Sequence, residues 1–341
     1  MGIRNASPAT RGPLIFQPEP FFIFAPMATI SHAGFRSLVE DWGGCSLYFS
    51  EMIDAAAHVR GGGYETFYAD TRPCPEKLIF QIVGADEGAL LAAAESLASL
   101  DCVGIDVNMG CSAPHIFKHG AGIAWMNDPS KAGRLTERLR KAVGRKSLSM
   151  KLRLGEEENE AQLLALGRSL QNAGADFLTL HPRIRRDSLS RPSRWSWVTL
   201  FRDSLSIPVV GNGDLDRFSV LTERSVHTPA DGWMVGRRAV TAPWTFRYWA
   251  GRWENPAYDF EVDLEQVSQR FHELLERYQP KEFWVTRSRR FYAYFAKNLD
   301  FGHRWGARLQ RHRLYDALKE EVLMFWTSHP EERIRWVSEL E

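Results

Sequence analysis

Eight short apolar runs recur along the first three quarters of the chain. Runs this short, without strict alternation of apolar and polar residues, are typical of strands buried on both faces of a parallel sheet. They lie at residues 21–25, 46–50, 78–84, 103–108, 148–154, 176–181, 207–212 and 231–236. The pattern therefore predicts eight strands.

Helix-like segments separate most of these runs. Residues 87–100 are rich in Ala and Leu and begin with an acid, residues 129–143 begin with Pro, and residues 157–173 end before Gly174. The stretch 51–77 is long and irregular. Eight strands alternating with helices predict a (β/α)8 TIM barrel. A doubly wound sheet is disfavoured, because no GxGxxG or GxxxxGK[ST] motif occurs.

The pattern changes near residue 260, where the strand-like runs stop. Residues 261–341 carry Glu, Arg, Leu and aromatic residues at helical spacing. We expect a TIM-barrel catalytic domain over residues 1–255 and a smaller all-helical C-terminal domain over 256–341, with the boundary near 251–259.

Composition narrows the protein class. The chain has 341 residues, 44% hydrophobic and 25% charged, which indicates a globular protein. The net charge of +1 does not by itself require a polyanionic partner. The four cysteines are scattered, so neither a disulfide framework nor a metal site is expected. No apolar run reaches the roughly 20 residues of a membrane span and no signal pattern opens the chain, so we expect a soluble, cytoplasmic protein.

Polar residues collect where the predicted strands end. Each has an ordinary structural explanation: a lysine in a strand is often salt-bridged, GNGD is often only a turn, and a strand-end histidine can be satisfied locally. Their joint occurrence is harder to explain, because each buried, unpaired polar group costs roughly 1–3 kcal/mol. The residues are Pro26, Met27, Glu51, Gln81, Asp106, Asn108, Cys111, Lys151, Arg153, His181, Arg183, Asn212, Gly213, Asp214, Gly236 and Arg237. They predict a shared polar ligand at the barrel mouth.

The residue types indicate what that ligand is. Gly213 and Gly236 permit close backbone approach, and Arg237 offers a fork for phosphate. Lys151 and His181 are donors, and Gln81 can donate and accept along the edge of a flavin ring. An aromatic ring bearing a phosphate is the simplest ligand of this kind.

Cys111 is the most informative single residue. A lone cysteine is most often a small buried hydrophobe, and we assign that state to Cys45, Cys74 and Cys102. The loop around Cys111 instead holds glycines and polar residues, namely Gly110, Ser112, His115, Lys118, His119, Gly120 and Gly122. Such a setting is accessible and electropositive, and it suits thiol chemistry.

These motifs, in this order, resemble the tRNA-dihydrouridine synthases. The match runs through APM (25–27), QIVGAD (81–86), DVNMGC (106–111), KLRLG (151–155), HPR (181–183), GNGD (211–214) and VGR (235–237). It covers roughly residues 20–250, and the helical tail resembles the family's RNA-binding domain.

The resemblance implies a barrel that binds FMN and reduces the 5,6 double bond of a uridine in tRNA, with NADPH as electron donor. If the matching positions have the same roles as in that family, Cys111 is the general acid, while Asn108, Arg153 and Arg183 contact the substrate. The implied FMN ligands are Pro26, Met27, Gln81, Lys151, His181, Asn212, Gly213, Asp214, Gly236 and Arg237. Neither a membrane nor an obligate protein partner is implied.

Two departures bear on substrate choice. Ser112 follows the cysteine where the family usually has Pro, and residues 181–195 replace a usual HGRT loop. The segment 183–194 is rich in arginine. It either holds RNA phosphates or caps the barrel through salt bridges.

The tail contains a basic segment. Residues 281–319 hold ten Lys or Arg against three acids, interleaved with Trp284, Phe291, Tyr292, Tyr294, Phe295 and Trp305. A solvated helix face with core aromatics and an RNA-binding surface are both consistent with this composition. Two other functions remain open: a flavin barrel acting on a free small molecule such as a pyrimidine, and a non-catalytic RNA-binding protein. Intact Cys111, Lys151 and His181 disfavour the latter.

Overall fold

Eight parallel strands close into a barrel in the computed structural model, which describes residue 16 and residues 20–341. They are β1 (Phe22–Phe24), β2 (Leu47–Asp54), β3 (Leu78–Val83), β4 (Gly104–Met109), β5 (Ser147–Leu152), β6 (Phe177–Leu180), β7 (Val209–Asn212) and β8 (Gly232–Val235). Neighbours in sequence pair in parallel, and β1 pairs with β8 to close the barrel. Each strand overlaps a predicted run, so the predicted TIM barrel is confirmed. The opening residues, on which the expectation of no signal pattern rests, lie outside the described part.

Helices follow the barrel strands, and after the last of these strands the chain is mostly helical. They are α1 (Ala33–Asp41), α2 (Ala55–Arg60), α3 (Glu65–Tyr68), α4 (Glu87–Ala98), α5 (Pro114–Lys118), α6 (Pro129–Val143), α7 (Glu160–Asn172), α8 (Ser196–Ser204), α9 (Phe218–His227), α10 (Arg237–Thr241), α11 (Thr245–Glu254), α12 (Leu264–Tyr278), α13 (Lys281–Phe295), α14 (Gly302–Leu309) and α15 (Tyr315–Ser328). Short 3₁₀ turns lie at Pro75–Lys77, Gly122–Asn127, Ala296–Asn298, Pro330–Glu332 and Val337–Leu340.

Local sequence explains where the crossover helices begin and end. Asp86, Asp128 and Asn159 cap α4, α6 and α7, and each accepts a hydrogen bond from a backbone N–H of the first turn. Pro129 opens α6, as predicted. Gly174 follows α7 with φ +100°, a left-handed position that favours glycine. The irregular stretch 51–77 contains the end of β2 and the short helices α2 and α3.

The barrel interior changes character along its axis. An apolar cluster fills the part nearer the amino ends of the strands and includes Ile23, Phe49, Ile79 and Phe177. Polar side chains follow toward the carboxyl ends. Gln81 pairs in register with Asp106, and Asp106 pairs with Ser149, so three neighbouring strands present polar groups at one level. The polar level separates the packed core from the barrel mouth.

The C-terminal helices share a core with the barrel. Phe35 of α1 lies 6.1 Å from Phe291 of α13, which stacks on Phe271 of α12 at 3.9 Å. A Cβ at Gly34 would come within 2.8 Å of the Leu274 carbonyl oxygen, so a glycine is needed where α1 meets α12. The expected helical region is confirmed, with one addition: β9 (Glu261–Asp263) and β10 (Ile334–Trp336) form a small antiparallel sheet.

Hydropathy gives a separate finding. Among residue 16 and residues 20–341, no helix has the length and apolar character needed to span a membrane.

Candidate active site at the barrel mouth

A cavity of about 720 Å³ opens at the carboxyl ends of the strands. Its volume lies in the range of ligand-binding pockets. Ten of the fourteen predicted site residues line it: Pro26, Met27, Lys151, Arg153, His181, Asn212, Gly213, Asp214, Gly236 and Arg237. The other four predicted residues, Gln81, Asn108, Cys111 and Arg183, do not form its lining.

Gln81 and Asn108 belong to a buried hydrogen-bonded network. The carboxylate of Asp106 accepts from Ser149 Oγ at 2.7 Å and from Gln81 Nε2 at 2.7 Å. Asn108 Nδ2 in turn donates to Gln81 Oε1 at 2.9 Å. Because an ionised carboxylate can only accept, Asp106 fixes the orientation of both amides in turn. Burial raises the pKa of Asp106 to about 7, although the bonds from Ser149 and Gln81 and the charge of Lys151 oppose this rise.

The same network positions the loop of Cys111. Asn108 Oδ1 accepts from the backbone N–H of Gly110 at 3.1 Å and from that of Cys111 at 2.8 Å. A Cβ at Gly122, whose φ is +60°, would lie 2.6 Å from the Cys111 carbonyl oxygen. The loop therefore packs closely on a glycine while Cys111 itself stays partly exposed.

The other cysteines have different surroundings. Burial raises the pKa of Cys45 to about 12 and that of Cys74 to about 11, and it also raises the pKa of Cys102. The four cysteines are not bonded to one another. Cys111 is the only one of them on a loop that the polar network fixes.

Lys151 projects from β5 into the cavity. Burial, and then the neighbouring Arg153, lowers its pKa to about 8, while the charge of Asp106 opposes this shift. Its ammonium group has no hydrogen-bond acceptor among the residues that the structure describes. A partly desolvated donor of this kind favours a ligand that presents an acceptor atom.

His181 is held as a neutral donor. Burial, reinforced by the charges of Lys151 and Arg153, holds the pKa of His181 well below its ordinary value. Arg183 Nη1 lies 2.8 Å from His181 Nε2. Because a guanidinium has no acceptor, Nε2 must accept and the ring proton resides on Nδ1. A Cβ at Gly213 would lie 2.5 Å from the His181 ring, so the loop after β7 needs glycine there.

Arg183 does not line the cavity. It is almost fully buried, and it donates to both carboxylate oxygens of Asp214 at 2.7 Å. Asp214 also accepts from Arg237 at 3.1 Å. Partial burial would raise the pKa of Asp214, but hydrogen bonds from Arg183 and Ser193 outweigh it and hold that pKa below its ordinary value. Asp214 thus orients two arginines, and of these only Arg237 reaches the cavity.

The loops after β1, β7 and β8 complete the wall. Asn212 Nδ2 donates to the Met234 carbonyl oxygen at 2.7 Å, which ties β7 to β8. The backbone N–H of Met27 donates to the Ser31 hydroxyl oxygen at 2.9 Å. A Cβ at Gly236 would lie 3.2 Å from Met27 Sδ, so the two loops meet closely. The three loops therefore line the same cavity side by side.

The arginine-rich loop after β6 is held by salt bridges. Asp187 pairs with Arg194 at 2.6 Å and with Arg191 at 3.4 Å, and Arg185 pairs with Glu156 at 3.3 Å. Of the two interpretations given for this segment, these pairs favour capping of the barrel.

No sequence pattern indicated that α13 contributes to this cavity. Arg290 and Tyr294 of α13 line it, together with Lys297 of the 3₁₀ turn that follows. A buried ion pair joins this helix to the barrel, because Arg287 Nη1 lies 2.8 Å from Glu51 Oε2. Glu51 Oε1 also accepts from the backbone N–H of Thr29, in the loop after β1. Glu51 was noted as a strand-end acid, but its partner lies too far along the chain for a pattern to show it.

The cavity suits an anionic, ring-shaped ligand. Basic side chains in its lining outnumber acidic ones: Lys151, Arg153, Arg217, Arg237, Arg238, Arg290 and Lys297 against Asp214, Asp216 and Glu341. Within the described part of the chain, no group of three or more His, Cys, Asp or Glu residues is arranged to hold a metal ion. Glycine backbone, arginines and unpaired donors on Lys151 and His181 fit a phosphate-bearing flavin.

Comparison with known proteins agrees with the motifs. Residues 23–315 match the model of the family described as dihydrouridine synthase (Dus). The "Probable tRNA-dihydrouridine synthase" of Helicobacter pylori is 29% identical over 265 residues, which are 77% of this chain and 79% of that protein. The protein of the same description from Rickettsia prowazekii is 26% identical over 311 residues, or 90% and 94% of the two chains.

A solved structure shares the fold. The complex of 2-naphthoyl-CoA reductase with 2-naphthoyl-CoA superposes with a TM-score of 0.54 at 12% identity. The superposition covers 67% of this chain and 49% of that one, so this chain spans about half of the reductase. At such low identity the likeness concerns the barrel fold alone.

Proposed function

Because the chain belongs to the dihydrouridine synthase family, we propose that it reduces the 5,6 double bond of uridine in tRNA, using FMN as cofactor and NADPH as electron donor. The observation that carries this proposal is the convergence of ten predicted strand-end residues on one cation-lined cavity, beside a cysteine loop fixed by the Asp106 network. The barrel has the layout expected of such an enzyme, with its polar groups at the carboxyl ends of the strands.

We assign the cofactor to the cavity by the chemistry of its lining. The backbone at Asn212–Gly213 and Gly236–Arg237, with the Arg237 guanidinium, would bind the phosphate. Lys151, His181 and Gln81 would contact the ring edge, while Pro26 and Met27 would border it. Gln81 lies outside the cavity lining and each end of its amide already has one partner, so it would reach the ring through its second amide proton or its second oxygen lone pair. Reduced FMN, when bound, supplies the hydride.

The substrate side requires a proton donor opposite the hydride. Cys111 is proposed as this general acid, because the product gains a proton as well as a hydride. Asn108 would act mainly by fixing the Cys111 backbone, and Arg153 would contact the uridine or its phosphate. For Arg183 we now propose a positioning role through His181 and Asp214. A target base must leave its stack to enter a barrel mouth, and unpaired tRNA loops permit this. We propose the cytoplasm as its location, since the reaction requires access to tRNA.

The test is a reaction on unmodified tRNA transcript with purified full-length protein, FMN and NADPH. Nuclease digestion and mass spectrometry should detect dihydrouridine, and Cys111→Ala should form it at least about 10²-fold more slowly while flavin content stays unchanged. Protein that neither carries nor takes up FMN, or that leaves the transcript unmodified, would refute the proposal.

Assays with free uridine and uracil as substrates test the alternative function, in which the enzyme acts on a free small molecule. Turnover of these compounds at rates matching or exceeding turnover of tRNA would favour it. Deleting residues 260–341 is unsuited to the purpose, because α12 and α13 share a core with α1 and their removal would expose Phe35.

A further inference from the structure

A second cavity of about 490 Å³ lies on the C-terminal helices, between the end of α13 and α14. Its lining includes Lys297, Phe301, His303 and Gln310, together with Gly302 and Gly306. Lys297 also lines the cavity at the barrel mouth. The two cavities are therefore neighbours on one surface.

Phe301 is exposed in a way that the fold does not require. It is 73% exposed, whereas Phe291, Tyr292 and Phe295 are fully buried. It also has φ +54°, a left-handed conformation that is uncommon for a bulky residue. An exposed aromatic ring in an unfavourable backbone conformation is a candidate contact for a partner.

Lys297 lines the cavity, and Arg304 lies beside its lining residue Phe301. Arg304 lies with its guanidinium carbon 5.7 Å from the centre of the Phe301 ring. Neither Arg304 nor Lys297 has an acidic partner among the residues that the structure describes. This charge complements a polyanion, and the segment 281–319 carries ten basic residues against three acids.

Small residues and an amide complete the lining. Gly302 and Gly306 carry no side chain, and Gly306 packs on Ala296, because a Cβ there would lie 3.3 Å from the Ala296 Cβ. Gln310 Nε2 donates to the Arg289 carbonyl oxygen, which leaves Gln310 Oε1 as an acceptor. An aromatic face, an amide acceptor and nearby cations together match an unpaired nucleobase with its phosphate.

We propose that this cavity binds an unpaired base of the RNA substrate by stacking on Phe301, while Lys297 and Arg304 contact the adjacent phosphates. The inference rests on the proposed function, since it assumes that tRNA is the substrate. Contact at this second point would hold the RNA while a different nucleotide occupies the barrel mouth.

The test compares three variants of the full-length protein carrying its flavin. Phe301→Ala removes the stacking surface, Phe301→Trp retains it, and Leu314→Ala is a matched control that is 72% exposed on the same helical region but outside the cavity. Dissociation constants for tRNA transcript are measured by fluorescence anisotropy. Base stacking on an aromatic side chain supports an increase of about tenfold for Phe301→Ala. We expect no change for Leu314→Ala, and near-wild-type affinity for Phe301→Trp with its fluorescence quenched by RNA.

Other outcomes overturn the inference. Equal affinity of Phe301→Ala and Leu314→Ala would refute the base contact, and if wild-type protein still reduces tRNA, the proposed function stands. Wild-type protein that neither binds nor reduces tRNA would instead refute the proposed function itself. If light scattering shows a wild-type dimer that Phe301→Ala dissociates, a second copy of the chain covers this face and the RNA assignment is wrong.

Discussion

The barrel mouth and the outer face of the C-terminal helices are both rich in cations, but they hold them differently. At the barrel mouth, Arg183 and Arg237 share the carboxylate of Asp214. On the helices, Arg304 and Arg311 have no acidic partner among the described residues. Fixed cations define one geometry, as chemistry on a small ligand requires, whereas unpaired cations tolerate a variable backbone of phosphates.

The two regions also differ in how their polar groups are buried. Asp106, Gln81 and Asn108 form a hydrogen-bonded chain that ends at the backbone of Cys111. The helical region keeps most of its aromatics in the core and exposes most of its arginines, although Arg287 is buried. Substitutions in the barrel should therefore change turnover, cofactor affinity or pH dependence. Substitutions on the exposed outer face of the helices, away from the cavity at the barrel mouth, should change RNA affinity alone.

The largest effect is expected for Cys111→Ala. Loss of a general acid lowers turnover by about 10²–10⁴-fold, and tRNA and FMN affinity should stay unchanged. Single-turnover formation of dihydrouridine measures this. Cys74→Ala, a partly buried cysteine away from the cavity, is the matched control and should keep full activity. Comparable loss in both variants would mean that the effect is not specific to position 111.

The next effect concerns Asp106 and stability. Its pKa in the folded chain is about 7, above its ordinary 3.8, so the folded state binds more protons than the unfolded state between these values. The contribution of Asp106 to the free energy of unfolding is therefore largest at low pH, where the side chain is protonated, and it decreases as the pH rises toward 7. Asp106→Asn can still accept from Gln81 and donate to Ser149, so it removes the charge with little change of shape.

Urea unfolding of flavin-free protein at about pH 5 and about pH 7.5 measures that difference. Wild-type protein should lose roughly 2 kcal/mol more than Asp106→Asn across this range. If the free energy of unfolding depends on pH in the same way for both proteins, Asp106 does not titrate in this pH range. The buried polar network of the barrel would then not carry the titrating charge that we use to distinguish it from the exposed helical face.

A smaller change is expected for Arg183→Lys. A lysine cannot contact His181 and both oxygens of Asp214 at once, so His181 loses its fixed orientation. We expect FMN affinity to fall about tenfold, the effect of losing one hydrogen bond to a charged group. Fluorescence titration of flavin-free protein measures this. Arg191→Lys, on the same loop but 63% exposed, should bind FMN with normal affinity. If both variants lose the same FMN affinity, the Arg183 guanidinium has no specific role.

The smallest effect is expected on the helices. Arg311→Ala should reduce the slope of log Kd for tRNA against log salt concentration by about one and leave FMN affinity unchanged. Arg308 pairs with Glu321 at 2.8 Å, so Arg308→Ala should change the slope less. Identical slopes for wild-type protein and both variants would show that this face does not contact RNA phosphates.

Sequence patterns predicted the barrel because its strands are buried on both faces and therefore read as separate apolar runs. They also predicted most of the cavity lining, since the carboxyl ends of parallel strands meet at one mouth. The contributions of Ser149, Arg290 and Tyr294 were not foreseen. Ser149 lies inside an apolar run, and α13 reaches the cavity through a pair between Arg287 and Glu51 that no local pattern encodes. Phe301 was missed because exposure of one aromatic residue leaves no periodic signal.

The central claim is that this chain reduces uridine in tRNA. Its most direct test is mass spectrometry of nucleosides from an unmodified tRNA transcript incubated with the purified, FMN-loaded protein and NADPH. The account predicts a uridine that gains two hydrogens with wild-type protein and with Cys74→Ala, and a gain at least about 10²-fold slower with Cys111→Ala. Unmodified uridine with wild-type protein that carries FMN and oxidises NADPH would contradict it.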